Sequence, residues 1–339
     1  MKPKDTIRVS HKINFRISGL NIALISSDPS KVFLFDPSYR RFISKCRHPD
    51  IRIRVCYGNF PKLNLSSHDF LAQIDGWWSF YARGRKRIFC LPRVRYLERS
   101  FIIARKKVMI SRCRPEIIIS KEPSDFSSRN TLLPLPRRLA VFGHNFKKGT
   151  IHIAMSQSES TVRNPLEYPL LNLMLLELLH HHGGLIFHAC GIVNRKKQCY
   201  LFLGHSGDGK STMARLWKDD AYILDDDRVP VKMTGNSFFA YPAPGSRENS
   251  CSCSITERAK ISGIFFLEKD TRNKIGRLNN IQALSKLVEY TPAAMWDRRR
   301  VASDISLLKH ISTRVPCYVM KFYPDKRIVR LLSRLHCRF

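Results

Sequence analysis

The stretch GHSGDGKS at residues 204–211 matches the phosphate-loop pattern G-x-x-x-x-G-K-[ST] at every fixed position. The apolar run at 199–203 that precedes it is typical of a buried strand, and residues 211–217 are typical of the start of a helix. Because strand, glycine-rich loop and helix occur in this order, the sequence predicts a site that binds phosphate groups.

Each residue type of this loop has its own role in binding phosphate. The glycines permit a tight turn that exposes N–H groups toward one point, and the N-terminus of the following helix adds a partial positive charge. We expect Lys210 to contact the β- and γ-phosphate oxygens and the hydroxyl of Ser211 to bind Mg²⁺. The residues predicted to bind the nucleotide are Gly204, Ser206, Gly207, Asp208, Gly209, Lys210, Ser211 and Thr212.

A run of three carboxylates, Asp225, Asp226 and Asp227, follows the apolar residues 222–224. A parallel strand that ends here would place them at the sheet edge where the loop lies, facing the γ-phosphate. Adjacent carboxylates repel one another, so a divalent cation is their natural partner, and they suit both Mg²⁺ binding and base catalysis. The alternative interpretation is a solvated acidic turn without a ligand.

Residues 188–231 resemble the catalytic domain of the HPr kinase/phosphorylase family, and more closely the HPr-kinase-like proteins encoded beside peptide-modification genes. The resemblance rests on the pair His188-Ala189 before a hairpin, on the loop, and on the segment DDRV at 226–229. A weaker likeness covers about residues 165–335. It includes a helix at 169–179, a loop at 241–245, a central strand at 264–268 and a late edge strand at 315–320.

This resemblance implies ATP-dependent phosphorylation of a serine-type hydroxyl. By position, Asp226 would orient and deprotonate the acceptor hydroxyl, and Asp227 would assist through metal or hydrogen bonding, with Ser211 and Asp227 as the Mg²⁺ ligands. His188 matches a histidine near the active site of the family, which often forms oligomers. No stretch matches the R-G-x-G signature of true HPr kinases, which argues against HPr as the acceptor and against the reverse phosphorolysis.

Strand and helix patterns divide the chain into two parts and predict an α/β (α+β) fold. Residues 1–150 are expected to form a β-rich N-terminal domain, and residues 165–339 a phosphate-loop catalytic domain. Strands are predicted at 7–9, 15–17, 22–25, 51–55, 102–104 and 117–119. Between the two parts we expect an exposed loop at 122–138 and a linking passage at 143–167. Later elements are a hairpin around 234–236 and helices at 281–290, 304–311 and 326–335.

The chain of 339 residues carries 59 Lys and Arg against 27 Asp and Glu, which gives a formal net charge of +32. Such a charge favours an acidic partner: a nucleic acid, an anionic membrane surface or an acidic peptide. The alternative is that it serves solubility and attraction of nucleotides, with no dedicated partner. The aromatic residues at 77–81 precede a basic cluster at 83–87, but their place after a turn signal favours core packing over stacking on bases.

The ten cysteines show no C-x-x-C spacing, and Cys251 and Cys253 form the only close pair, so no zinc site is predicted. The N-terminus lacks the apolar core of a signal peptide, which favours free thiols in a cytoplasmic protein. The histidines at 180–182 close an apolar helix, where they suit the helix dipole better than a metal. That helix, at 170–179, is too short to cross a bilayer, so no transmembrane span is predicted.

The sequence therefore predicts a kinase that uses ATP and Mg²⁺ to phosphorylate a serine or threonine hydroxyl of a protein or peptide. Three alternatives stay open. The first is a kinase acting on a small molecule. The second is a nucleotide-gated protein that delivers a precursor peptide or an acidic partner without chemistry. The third is a nucleic-acid-binding protein, suggested by charge alone. The sequence does not identify the acceptor.

Overall fold

The computed structural model describes residues 6–58, 60–61, 63, 70–74, 78–92, 101–103, 106–108, 136–156, 158–167, 170–244, 258–291 and 298–335. Its strands are β1 (Ile7–Ser10), β2 (Lys12–Ile17), β3 (Leu20–Ser26), β4 (Val32–Phe35), β5 (Ile51–Tyr57), β6 (Phe70–Ile74), β7 (Trp78–Arg83), β8 (Lys86–Pro92), β9 (Phe101–Ile103), β10 (Lys106–Val108), β11 (Pro136–Gly143), β12 (Lys148–Ile153), β13 (Thr161–Arg163), β14 (Gly184–Asn194), β15 (Cys199–Leu203), β16 (Ala221–Asp225), β17 (Arg228–Thr234), β18 (Ser237–Ala240), β19 (Ala259–Lys269), β20 (Lys274–Arg277) and β21 (Cys317–Phe322). Its helices are α1 (Leu170–His181), α2 (Lys210–Trp217), α3 (Asn280–Glu289), α4 (Arg298–Arg314) and α5 (Arg327–Leu335), with a short 3-10 helix at Pro37–Phe42. The fold class is α+β, which confirms the prediction.

Packing divides the chain into two units. The first comprises Met1–Arg16 and Leu20–Met174, and the second comprises Ile17–Gly19 and Leu175–Phe339. The domain boundaries expected near residues 150 and 165 stay a prediction. Among the helices of the described ranges, none combines the length and the apolar character needed to cross a membrane.

The first unit is built on an eight-stranded sheet in the order β2-β3-β5-β12-β11-β8-β7-β6. The alternation expected at 51–55 is confirmed in β5, whose isoleucines and valine are buried while Arg52 and Arg54 are exposed. Aromatic rings fill the core, and Phe80 stacks on Phe89 with ring centroids 4.5 Å apart. The strands expected at 7–9, 15–17 and 22–25 are present as β1, β2 and β3, and the strand expected at 102–104 is present in part as β9.

The prediction of an exposed loop at 122–138 is wrong at its C-terminal end. Residues 136–138 begin strand β11, and Arg138 is buried there. Its guanidinium lies 2.7 Å from the carboxylate of Glu167, which compensates the buried charge. The remainder of that loop and the strand expected at 117–119 lie outside the described residues.

The linking passage expected at 143–167 is also corrected by the structure. It contains β12, which lies inside the large sheet between β5 and β11. Ile151 and Ile153 alternate with polar residues and are buried on one face, which is the pattern of a strand with one solvated face. Because many residues of this passage are polar, the sequence did not indicate this short strand, which pairs with a neighbour on each side.

The second unit contains an eight-stranded sheet in the order β15-β14-β17-β18-β19-β21-β20, with β16 paired to β14. Because β15 also pairs with β19, the strands β14, β15, β17, β18 and β19 close a ring. The hairpin expected around 234–236 joins β17 to β18. The late edge strand expected at 315–320 is internal, because β21 pairs with β19 on one side and with β20 on the other.

Strand β14 changes partners along its length. Residues 184–188 pair with β17, residues 189–193 pair with β15, and residues 191–194 pair with β16, all antiparallel. Strands β15 and β16 therefore run in the same direction with β14 between them, and they end at the same end of the sheet. The acidic strand thus ends at the same end of the sheet as the loop strand, as expected, although the strand paired with it is the antiparallel β14.

Helices cover both faces of strand β15, all of whose residues are buried. Leu201 belongs to a core cluster that includes Leu287 of α3, whereas Phe202 belongs to a second cluster that includes Met213 of α2. Burial on both faces explains why this strand is a continuous apolar run rather than an alternating one. Helix α4 is longer than the helix expected at 304–311, and α3 and α5 lie within one residue of their expected ranges.

A buried ion network joins α1 to α4. The guanidinium of Arg300 is hydrogen-bonded to the carboxylate of Glu177, and it donates to the carbonyl of Leu176 at 2.7 Å. Asp304 lies 3.7 Å from the same guanidinium and 3.0 Å from Nδ1 of His180. The first histidine of the run at 180–182 is therefore held by a carboxylate of a neighbouring helix.

We expect Arg300→Met to lower the free energy of unfolding by about 3–5 kcal/mol, because it leaves the Glu177 carboxylate buried without its cation. Urea unfolding followed by tryptophan fluorescence measures this loss. The control is Arg327→Met, whose partner Asp325 lies in an exposed ion pair, and which should cost less than about 1 kcal/mol. Equal losses in the two variants would show that the network does not stabilise the packing of α1 on α4.

Candidate functional site

The phosphate-loop residues connect the end of β15 to the start of α2, as the pattern indicates. Gly207 and Gly209 have φ angles of 94° and 110°, in the region that favours glycine. A Cβ atom on Gly209 would lie 2.5 Å from Cζ of Phe322, so close packing also excludes a side chain there. Both glycines are therefore required by the shape of the loop.

Lys210 is the first residue of α2, and only 7% of it is exposed. Its Nζ donates to the carbonyl oxygens of Gly204 at 2.7 Å and of His205 at 2.9 Å. Burial lowers the pKa of this amine, while the nearby carboxylates of Asp227 and Asp208 act in the opposite direction. The structure thus places a partly desolvated cation inside the loop, where a phosphate group would be bound.

Asp208 directs its carboxylate back onto the loop. Its Oδ2 accepts a hydrogen bond from the backbone N–H of His205 at 2.6 Å, and its own N–H donates to the carbonyl of His205 at 3.2 Å. A carboxylate of the loop therefore occupies one of the loop's own N–H groups. Position 208 is predicted to contribute to nucleotide binding, but the sequence gives no signal that the side chain of Asp208 turns back onto the loop.

The remaining loop residues differ in what they contact. Ser206 is exposed, and the hydroxyl of Thr212 accepts a hydrogen bond from Arg215 one turn later in α2 at 3.2 Å. His205 lies beside the end of α3, where its Nε2 is 2.8 Å from a carboxylate oxygen of Glu289 and its ring is 4.7 Å from that of Tyr290. The sequence gives no signal for this last contact, which joins residues far apart in the chain.

The three carboxylates of the acidic turn have separate partners. Asp225 accepts hydrogen bonds from the backbone N–H groups of Asp227 at 2.8 Å and Arg228 at 3.2 Å, so it shapes the turn. Burial raises its pKa to about 6. Asp226 faces the loop, and its Oδ2 accepts a hydrogen bond from the hydroxyl of Ser211 at 3.2 Å. Asp225 therefore stabilises the turn, whereas Asp226 contacts the loop.

Asp227 is held between two cationic or potentially cationic side chains. Its Oδ1 lies 3.0 Å from Nε2 of His188, and its Oδ2 lies 3.4 Å from Nε of Arg228. The hydrogen bond from His188 is the main cause that lowers the pKa of Asp227, and Arg228 acts in the same direction. With 58% of its side chain exposed, this ionised carboxylate is accessible to a ligand.

Strand β14 brings these groups together. Ala189 is paired with Leu203, the last residue of β15, while Gly191 is paired with Asp225, the last residue of β16. The N–H of Ala189 also donates to the carbonyl of Asp227 at 3.0 Å, which fixes the turn onto the strand. His188, one residue earlier, thereby reaches the acidic turn. The structure brings the loop, the acidic turn and His188 to one place.

The oxygen ligands at this place fit a magnesium nucleotide. Mg²⁺ is usually bound by one or two carboxylates together with substrate phosphates and water. Ser211, Asp226 and Asp227 supply the oxygen atoms for such a site. In the part of the chain that the structure describes, no group of three or more His, Cys, Asp and Glu side chains could hold a metal on its own.

Other predicted features near the site fall partly outside the described residues. Residues 241–244 of the loop expected at 241–245 are described, and Ala243 is buried. Gly245 and the segment that follows it, with Cys251 and Cys253, are not among the described residues. The cysteines of the described ranges are free thiols.

This chain is similar to a protein family and to a solved structure. Residues 161–322 match the model of a family described as SynChlorMet cassette protein ScmC. The structure of the Hpr(Ser) kinase/phosphatase from Coxiella burnetii is similar at 12% identity, with 44% of this chain and 95% of that chain covered and a TM-score of 0.28. No curated protein matches this chain. The family match spans the loop, the acidic turn and His188.

We expect Asp208→Asn to tighten ATP binding by about threefold to tenfold, because it removes a negative charge from the loop and keeps an oxygen for the N–H of His205. Calorimetric titration of the full chain with ATP measures the change. The control is Asp220→Asn, an exposed acid beyond α2, which should change the affinity by less than about twofold. Weaker binding by Asp208→Asn would show that this carboxylate assists the nucleotide.

Proposed function

We propose that this chain is a kinase that transfers the γ-phosphoryl group of ATP to a serine or threonine hydroxyl of a protein or peptide. The observation that carries the proposal is the contact between the two motifs: the hydroxyl of Ser211 lies 3.2 Å from the carboxylate of Asp226. A phosphate loop and a carboxylate of a neighbouring strand end are the parts that phosphoryl transfer requires. The catalytic domain is proposed to span residues 165–339.

In this proposal the loop binds the triphosphate. Lys210 exchanges the carbonyls of Gly204 and His205 for phosphate oxygens and neutralises their charge. Ser211 and Asp227 hold Mg²⁺, which supplies charge neutralisation when it is bound. Asp227 suits the cation because its lowered pKa keeps it ionised. His188 positions Asp227 through the contact of 3.0 Å.

Asp226 is proposed as the general base. The proton of the acceptor hydroxyl moves to its carboxylate as the new O–P bond forms and the bond from the γ-phosphorus to the bridging oxygen of ADP breaks. Asp226 is chosen as the base because its carboxylate faces the loop at Ser211, whereas Asp227 is held by His188 and Arg228. The choice of a serine-type hydroxyl rests on the resemblance of residues 188–231 to HPr kinases.

One observation favours a second candidate, a nucleotide-gated binding protein without chemistry. The loop bonds to itself through Lys210 and Asp208. Nucleotide binding must break these contacts and rearrange the loop, and such a change could gate a partner. The two candidates differ in whether phosphate leaves the nucleotide.

We expect label from the γ-phosphate of ATP to appear on a protein or peptide hydroxyl when the full chain is given Mg²⁺ and a cell extract. Asp226→Asn should lower the rate by about 10²- to 10⁴-fold while ATP binding persists, because it removes the base. Lys210→Ala should lose both binding and transfer. Asp220→Asn, an exposed acid outside the site, is the matched control and should keep full activity.

Each outcome separates the candidates. Label on a side-chain hydroxyl that is lost in Asp226→Asn supports the kinase. Label only on a free amino acid or sugar would assign the same chemistry to a small-molecule acceptor. ATP binding without any transfer would overturn the kinase proposal and support the nucleotide-gated protein.

A further inference from the structure

The large sheet of the first unit has a hollow of about 430 Å³ on its surface. It lies across the adjacent strands β5, β12, β11 and β8. Four exposed cations line it: Arg52 and Arg54 of β5, Lys148 of β12 and Lys86 of β8. No carboxylate is present among its lining residues within the described ranges. All the charged side chains that line the hollow are therefore positive.

The arrangement of these cations is unfavourable for the isolated protein. Lys148 lies directly opposite Arg52 in the register of β12 and β5, and like charges that face each other across strands destabilise a sheet. Among the described residues, none of the four cationic side chains forms an ion pair. An anionic ligand in the hollow would remove this repulsion.

A glycine, Gly143, leaves space within the hollow. Gly143 of β11 is paired with Lys86 of β8, and it carries no side chain to fill the space between that lysine and Lys148 of β12. Lys86 and Lys148 therefore line an open space at this position. The hydroxyl of Thr150, next to Arg54 in the register, adds a hydrogen-bonding group to the lining.

The size and chemistry of the hollow select the kind of occupant. Four adjacent strands span about 14 Å, so the cations are spread over a width that suits an extended occupant with several anionic groups. Nucleic acids bind single-stranded sites partly by stacking bases on exposed aromatic rings. Phe142, the aromatic residue of the lining, is 1% exposed and stacks on Phe146 instead. The arginine forks match carboxylates, which are planar and bind two donors.

We propose that this hollow, lined by Arg52, Arg54, Lys86 and Lys148, is a docking site for an acidic peptide segment rich in Asp or Glu. The proposal is independent of phosphoryl transfer and holds whether or not the second unit is a kinase. It gives a role to part of the positive charge that the nucleotide site does not use.

Fluorescence anisotropy with the full chain tests the proposal. The probes are a labelled peptide of eight alternating Glu and Ser residues, the same peptide with Gln for Glu, and a single-stranded oligonucleotide of equal charge. We expect the acidic peptide to bind, and Arg52→Gln/Arg54→Gln to weaken it by roughly tenfold, from two lost charge pairs. The control Arg8→Gln/Arg47→Gln removes two exposed charges outside the hollow and should change binding by less than about twofold.

A second variant pair, Lys86→Gln/Lys148→Gln, should show a similar loss, and it decides the question if the arginine variant does not fold. Equal losses in the hollow and control variants would overturn the proposal, since the overall charge would then explain binding. The proposal also fails if the Gln peptide binds as tightly, or if the oligonucleotide binds more tightly with the same dependence on Arg52 and Arg54.

Discussion

Strand β14 pairs with β15 and β16 at the same time, and the candidate site depends on this pairing. The phosphate loop begins where β15 ends, and the acidic turn begins where β16 ends, with Ala189 to Gly191 between them. Two short motifs that are separate in sequence are thus placed at the same end of one sheet. The contact of Ser211 with Asp226 and that of His188 with Asp227 follow from this register.

The charged groups at this place contact partners within the protein. The amine of Lys210 is held by the carbonyls of its own loop, and Asp208 occupies a loop N–H group. Asp225 accepts hydrogen bonds within the turn, while Asp227 contacts His188 and Arg228. A triphosphate would have to replace several of these contacts, so its affinity is the difference between new and lost interactions.

Local signals in the sequence were sufficient for the loop, the acidic turn and most strands. The tight turn of the loop could be predicted because its glycines permit a left-handed backbone. Strand β5 could be predicted because apolar and charged residues alternate along it. The pairing partner of β16 was not predictable, since the sequence does not indicate that β14 lies between β15 and β16. The contact of His205 with Glu289 joins residues 84 apart, and the inward turn of Asp208 depends on side-chain rotamers. Such contacts leave no periodic or compositional signal.

Calorimetric titration of ATP into the full chain, with and without Mg²⁺, tests most directly whether loop and acidic turn form one magnesium nucleotide site. The comparison uses the wild-type chain and Ser211→Ala, which removes the hydroxyl that contacts Asp226. We expect Mg²⁺ to tighten ATP binding by at least about tenfold in the wild type and by much less in the variant. Equal binding with and without Mg²⁺ in the wild-type chain would contradict a shared site.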